Sequence, residues 1–276
     1  MKRIILAAGA LALAACGTTV QTSSGQDYLR RMDQGVASLA APAAATDGQA
    51  DAIRAAASVE PLLRFPAKIG IARIEGGALT PIPDEEMAAF AGVAEETGGA
   101  YGEFAPLNLL VTAMAVPEEQ LGALSGGYAG PSNALIRARR AVDAIRVGAA
   151  RQHMDAVLVY EVFGTSDARQ SALSVGDLTI LGAFLLPGRE VDAMGHAEGI
   201  LIDVRNAYPY LTASETVTRE GLAASARSRK RGEDLRAAAE AQAVADMAAT
   251  LPAAFAKLAV ELGGLPRPGE AIASAE

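Results

Sequence analysis

The run Asp155-Ala156-Val157-Leu158-Val159-Tyr160-Glu161-Val162 constrains the fold more than any other segment. It is apolar at odd and even positions alike. As a strand it has no face to give to water, so it belongs inside a sheet with cover on both sides. A helix runs directly into it. Pro131 and Ser132 mark the helix start, with Ser132 as N-cap, and Leu135, Ala138, Val142, Ile145 and Ala149 recur at helical spacing as one buried stripe.

The rest of the chain supplies the partners. Residues 191–204 read as a long strand, Asn206-Ala207 as a turn, and residues 208–217 as a return strand with Tyr208, Tyr210, Thr212, Ser214 and Thr216 in alternation. Two long strands joined tightly predict an antiparallel hairpin. Upstream, Ile69, Ile71 and Ile74 place a strand over residues 68–74, between Pro66 and Gly76-Gly77. Helices are expected over residues 47–58 and from Pro83-Asp84-Glu85-Glu86 to Gly98-Gly99, the second with its acidic residues where the helix dipole favours them. Residues 107–112, apolar between Pro106 and Pro117, predict a further strand, and residues 178–186 form another apolar run closed by Pro187-Gly188. Residues 227–231 read as a basic connection. Residues 233–262 are helical, with Val244, Met247, Leu251, Phe255, Leu258 and Leu262 as the buried stripe, a break or kink at Pro252, and a stop at Gly263-Gly264. The fold class that follows is α/β: a mixed sheet including a long antiparallel hairpin, with helices packed against it.

The amino terminus is a different kind of sequence. Lys2 and Arg3 are followed by the uncharged apolar run of residues 4–15, which ends in Leu13-Ala14-Ala15-Cys16-Gly17. The run is too short to cross ~30 Å of hydrocarbon comfortably as a helix, and reads as a targeting segment. The order of charge, apolar run, small residues and cysteine resembles the lipobox of bacterial lipoproteins. That resemblance implies cleavage before Cys16, acyl chains such as palmitate on Cys16, and a membrane anchor made of several chains, since one chain alone binds only marginally. Gly17 stands where inner-membrane members usually carry Asp, so the resemblance implies the outer membrane, with the protein facing the periplasm. The organisation expected is a leader at 1–15, a lipidated tether and alanine-rich segment at 16–60 in which Gly17 to Gln26 is flexible and Tyr28 makes the first ordered contact, one α/β domain at 61–264, and a loose tail at 265–276.

A second resemblance rests on the helix entering Ala149-Ala150-Arg151-Gln152-His153-Met154 and the strand after it, and on Ala197-Glu198-Gly199-Ile200-Leu201-Ile202-Asp203 with its returning strand and carboxy-terminal helix. It resembles the periplasmic α/β domain shared by the curli-secretion channel lipoprotein, the penicillin-binding-protein activator lipoproteins and the TolB amino-terminal domain. The pattern spans residues 68–262. It departs from the group where a turn glycine after Asp203 is replaced by Asn206-Ala207, with Asn206 expected to take the same left-handed backbone. In that group the domain is a recognition surface or ring subunit, so the resemblance implies function by contact: a non-catalytic scaffold or regulator of an envelope machine, or, as the alternative, a subunit of an oligomeric secretion channel. The candidate membrane strand for the alternative, residues 174–191, is apolar at both parities and does not alternate as a barrel strand does.

Composition limits the chemistry. The net charge is −8, and loss of Lys2 and Arg3 makes the remainder more acidic, which argues against nucleic acid. Cys16 is the single cysteine, so there is no disulfide and no thiolate metal site. His153 beside Asp155 reads as a base with its orienting acid, or as a histidine at a helix C-terminus with an aspartate at a strand entrance. His196 has no second His or Cys spaced to share a metal. Asp155, Glu161, Asp203 and Glu215 sit near strand ends, where a pair could act on glycosides or where each could serve a turn. Gly126-Gly127-Tyr128-Ala129-Gly130 precedes a helix without a phosphate-binding lysine. Arg227, Arg229, Lys230 and Arg231 either meet an anion or form a solvated segment. The inventory predicts no enzyme, no cofactor and no metal, and partners limited to a membrane and to an envelope protein or a second copy.

Overall fold

A computed structural model describes residues 17–38, 47–97, 99–118, 131–170, 189–224 and 227–265. Cys16, Leu178, Gly126 and the tail after Leu265 lie outside the described residues. The elements in order are β1 (Gly17–Val20), α1 (Gly25–Ser38), α2 (Asp47–Ala57), β2 (Ala67–Glu75), β3 (Ala78–Thr80), α3 (Asp84–Glu96), β4 (Tyr101–Pro106), α4 (Leu109–Ala115), α5 (Pro131–Arg151), β5 (Ala156–Gln170), β6 (Arg189–Asp203), β7 (Pro209–Ala223) and α6 (Ser228–Glu261).

Among the described residues these strands make one mixed sheet, in the order β1-β7-β6-β5-β2-β3, with β4 also on β2. β4, β2 and β5 are parallel, and β5-β6-β7 is an antiparallel meander in which β6 and β7 form the expected hairpin. β5 is interior as its sequence demands: Val157, Leu158 and Tyr160 are fully buried. Leu158 and Tyr160 pack into a core with Met247, Leu251 and Phe255 of α6 and Phe90 of α3. Val157 and Val159 face the other way, onto Ile145 and Ala149 of α5. The sheet is thus the middle of three layers. Of the predicted α5 stripe, Ala138 is exposed and stands outside that core.

Glycine sets how closely α6 approaches. Gly164 of β5 and Gly195 of β6 are directly opposite each other. A Cβ on Gly195 would lie 2.2 Å from the Ala239 carbonyl carbon, and one on Gly164 would lie 2.8 Å from a Glu240 oxygen. Paired glycines on the sheet and alanines on the helix let backbone rest on backbone, where larger residues would hold the layers apart. By length and composition α6 also meets the requirement for a membrane span; here its apolar face is the main cover of the sheet, with Ala243, Met247, Leu251 and Phe255 buried.

Five expectations need correction. Gly17 to Gln26 is not a flexible tether throughout: Gly17–Val20 is a sheet strand paired with residues 211–214 of β7. The strand expected at residues 107–112 is the helix α4, because the Asn108 side chain accepts from the amides of Leu110 and Val111 and caps it; the strand is the preceding Tyr101–Pro106. The basic run is not a connection but the opening of α6. Pro252 does not break α6, which continues through it. At the hairpin turn the left-handed residue is Ala207 (φ 60°), not Asn206.

Candidate functional site

The turn end of the hairpin carries a buried carboxylate. Asp203 accepts from the Arg205 amide at 2.8 Å, from Arg205 Nε at 3.0 Å and Nη2 at 2.9 Å, and from the Tyr210 hydroxyl at 2.7 Å. The Tyr210 oxygen in turn accepts from the amides of Leu62 and Leu63, and Asn206 Nδ2 donates to the Glu60 carbonyl. Burial pushes the Asp203 carboxyl up, but these hydrogen bonds and the Arg205 charge win and hold it below its ordinary value. This is a clamp that fixes the segment after α2 onto the sheet, with every partner of the carboxylate named.

Asp155 serves the strand entrance in the same way. Its carboxylate accepts from the Lys68 amide at 2.9 Å, and its amide donates to the Lys68 carbonyl. His153 is exposed in a left-handed turn (φ 58°) where α5 ends. Glu161 and Glu215 are on opposite faces of the sheet. Glu215 is buried beneath α6, whereas Glu161 is directly opposite Glu198 on the outer face. The four carboxylates named from sequence therefore do not converge on one cleft.

The outer face of the β5-β6-β7 extension gathers the remaining candidates. His196 Nδ1 is 2.8 Å from Thr216 Oγ1, its Nε2 is 3.9 Å from Glu198, and its ring lies 4.7 Å from that of Phe163. Desolvation and the neighbouring Glu198 raise the Glu161 carboxyl, with His196 opposing. Phe163 and Met194 stay exposed beside them. A histidine held by a hydroxyl, a phenylalanine tilted against its ring and two carboxylates make a surface that can be recognised.

Two features were not read from the sequence. Arg73, 8% exposed, pairs with Glu86 at 3.0 Å and Glu75 at 2.5 Å, and Glu86 also accepts from the Tyr160 hydroxyl; a lone arginine in an isoleucine-rich strand was the available signal. A cavity of about 400 Å³ opens between α1, α2 and the start of β7, lined by Tyr28, Ile53, Val59, Tyr208 and Ser24. Tyr28, expected as the first ordered contact, is one of its walls. The basic residues Arg229 and Lys230 are exposed, each with an acidic partner one turn on, Glu233 and Asp234. Among the described residues no group of His, Cys, Asp and Glu is arranged to hold a metal.

No family model matches the chain, and no characterised protein matches it by sequence. Solved structures with partial likeness include a PelC dodecamer from Paraburkholderia phytofirmans, with 15% identity over 71% of this chain and 89% of that one and a TM-score of 0.29. Lipoprotein GNA1162 from Neisseria meningitidis has 18% identity over 56% of this chain and 85% of that one, with a TM-score of 0.28. The hypothetical protein CT253 from Chlamydia trachomatis has 8% identity over 71% and 99%, with a TM-score of 0.25. Likeness at this level assigns neither function nor assembly.

Proposed function

We propose that this chain is a lipid-anchored envelope protein that acts by contact, held through Cys16 to the outer membrane and facing the periplasm, and that it serves the assembly, regulation or scaffolding of a larger envelope machine. The observation that carries the reading is the order of Lys2, Arg3, the apolar run of residues 4–15 and Cys16, followed at once by a strand of the folded sheet. The anchor and the fold meet with no linker between them. Asp203 and Asp155 are spent on clamps and Arg73 on ion pairs, while His196, Phe163 and Glu161 share the outer face of the sheet, which supports a role by contact. The test is Cys16→Ser: loss of palmitate labelling and release from the membrane pellet are expected, and continued labelling of the variant would place the anchor elsewhere.

One observation favours the second reading, a subunit of an oligomeric channel. Among the described residues, β5 has no strand on its β2 side beyond Val162 and β7 none on its β1 side beyond Ser214, so both outer edges of the extension are unpaired. Against it, the opening of α6 covers one face of this extension and Asp167, Arg169 and Glu220 are exposed on the other, so neither face offers lipid an apolar band. Crosslinked envelopes separate the readings: a ladder of self-adducts favours the channel, a heterologous partner the scaffold.

A further inference from the structure

The chain ahead of β1 leaves the sheet in a definite direction. β1 is antiparallel to β7, with Gly17 opposite Ser214 and Val20 opposite Leu211. Moving back through β1 towards Cys16 is therefore moving forward along β7, towards Ala223. Gly17, the residue that follows the proposed anchor, is already on the sheet. Beyond Ser214, β7 continues to Ala223, about 30 Å further at the ordinary rise of a strand. A bilayer that holds Cys16 thus meets this extension as well.

It can meet it end-on or along its side. End-on contact would drive Asp167, Arg169, Asp192 and Glu220 into hydrocarbon, at roughly 2–4 kcal/mol for an arginine near the midplane. One face is moreover covered by the opening of α6, with its exposed Arg229, Lys230, Glu233 and Asp234. The inner side of β1 is closed by α6, where Thr18 bonds Thr250 and Thr22 bonds Glu261. Among the described residues, what is left is the side of β7 that β1 does not cover. Resting on the reading of Cys16 as the anchor, we propose that the uncovered edge of β7, residues 216–223, lies along the bilayer surface. Thr218, Glu220 and Leu222 are exposed on one face of that strand; Thr218 and Glu220 would meet the headgroups and their water, and Leu222, 54% exposed, the interfacial apolar layer. An edge left open in water is a template for aggregation; headgroups and their water satisfy its amides.

The single cysteine makes the test clean, because lipid consumes it. Thr218→Cys, Leu222→Cys and Arg151→Cys place one dye each on the lipidated full chain, the last at the opposite end of the sheet where α5 meets β5. All three positions are exposed, and thermal melts check that each variant folds. In phosphatidylcholine vesicles containing a headgroup-linked quencher, dyes at Thr218 and Leu222 are expected to lose most of their emission and the dye at Arg151 little. On a Cys16→Ser background none should be quenched. Equal quenching at all sites, or more at Arg151, overturns the proposed face while leaving the anchor intact. An N-terminal peptide without acyl chains overturns both. Concentration-dependent protection of Thr218 without vesicles puts a second copy on the edge and overturns the membrane contact.

Discussion

The carboxylate of Asp203 accepts four hydrogen bonds from Arg205 and Tyr210. A carboxyl held below its unfolded value of ~3.9 contributes stability above that pH and loses it as the pH falls through the folded value. Acid should therefore melt the protein partly through this residue. Asp203→Asn is expected to cost about 1–3 kcal/mol at neutral pH, since it leaves donors of Arg205 without their charge partner. Its melting temperature should fall less steeply between neutral and acid pH than that of the parent. Equal acid slopes in both would contradict the role. The functional claim has its own test at this scale: His153→Ala, His196→Ala, Asp155→Asn and Glu161→Gln, each checked for folding and then for rescue of a deletion strain's envelope defect. All four are expected to rescue. A single folded variant that fails while the others succeed would point to an active site.

At the scale of elements, β5 is the clearest case of sequence dictating position. Val157 and Leu158 are both fully buried, one under α5 and one under α6. Val157→Asp and Leu158→Asp should each destabilise by several kcal/mol, as a buried charge without a partner does; an unchanged melting temperature in either would open that face to solvent. Gly195→Ala is expected to cost about 1–3 kcal/mol or more, because the Ala239 backbone has no room to yield. The elements legible from sequence were those with two faces to bury, one long stripe or clear start and stop signals: β2, β5, β6, β7, α2, α3, α5 and α6. The strands missed lie at edges. β1 reads Gly-Thr-Thr-Val and β4 reads Tyr-Gly-Glu-Phe-Ala-Pro, and neither buries enough side chains to show a period. Residues 107–112 misled because an apolar run fits a strand or a helix, and Asn108 decided for the helix by capping. Candidate site residues were legible as residue types but not as neighbours: Asp203 meets Tyr210 only once the hairpin is formed, and Glu161 meets Glu198 only once the register of β5 on β6 is fixed.

For the whole molecule, the sheet and its two helical layers begin at Gly17, one residue after the proposed anchor. A protein tethered by a long linker samples many orientations; a chain anchored at Cys16 would sample fewer. The central claim is the anchor itself. Intact mass analysis of the protein extracted from envelopes, with sequencing of its N-terminal peptide, tests that claim most directly. The account predicts a chain that begins at Cys16 and carries acyl chains on both the sulfur and the amino group. A chain that begins elsewhere, or a Cys16 with a free thiol, would contradict it.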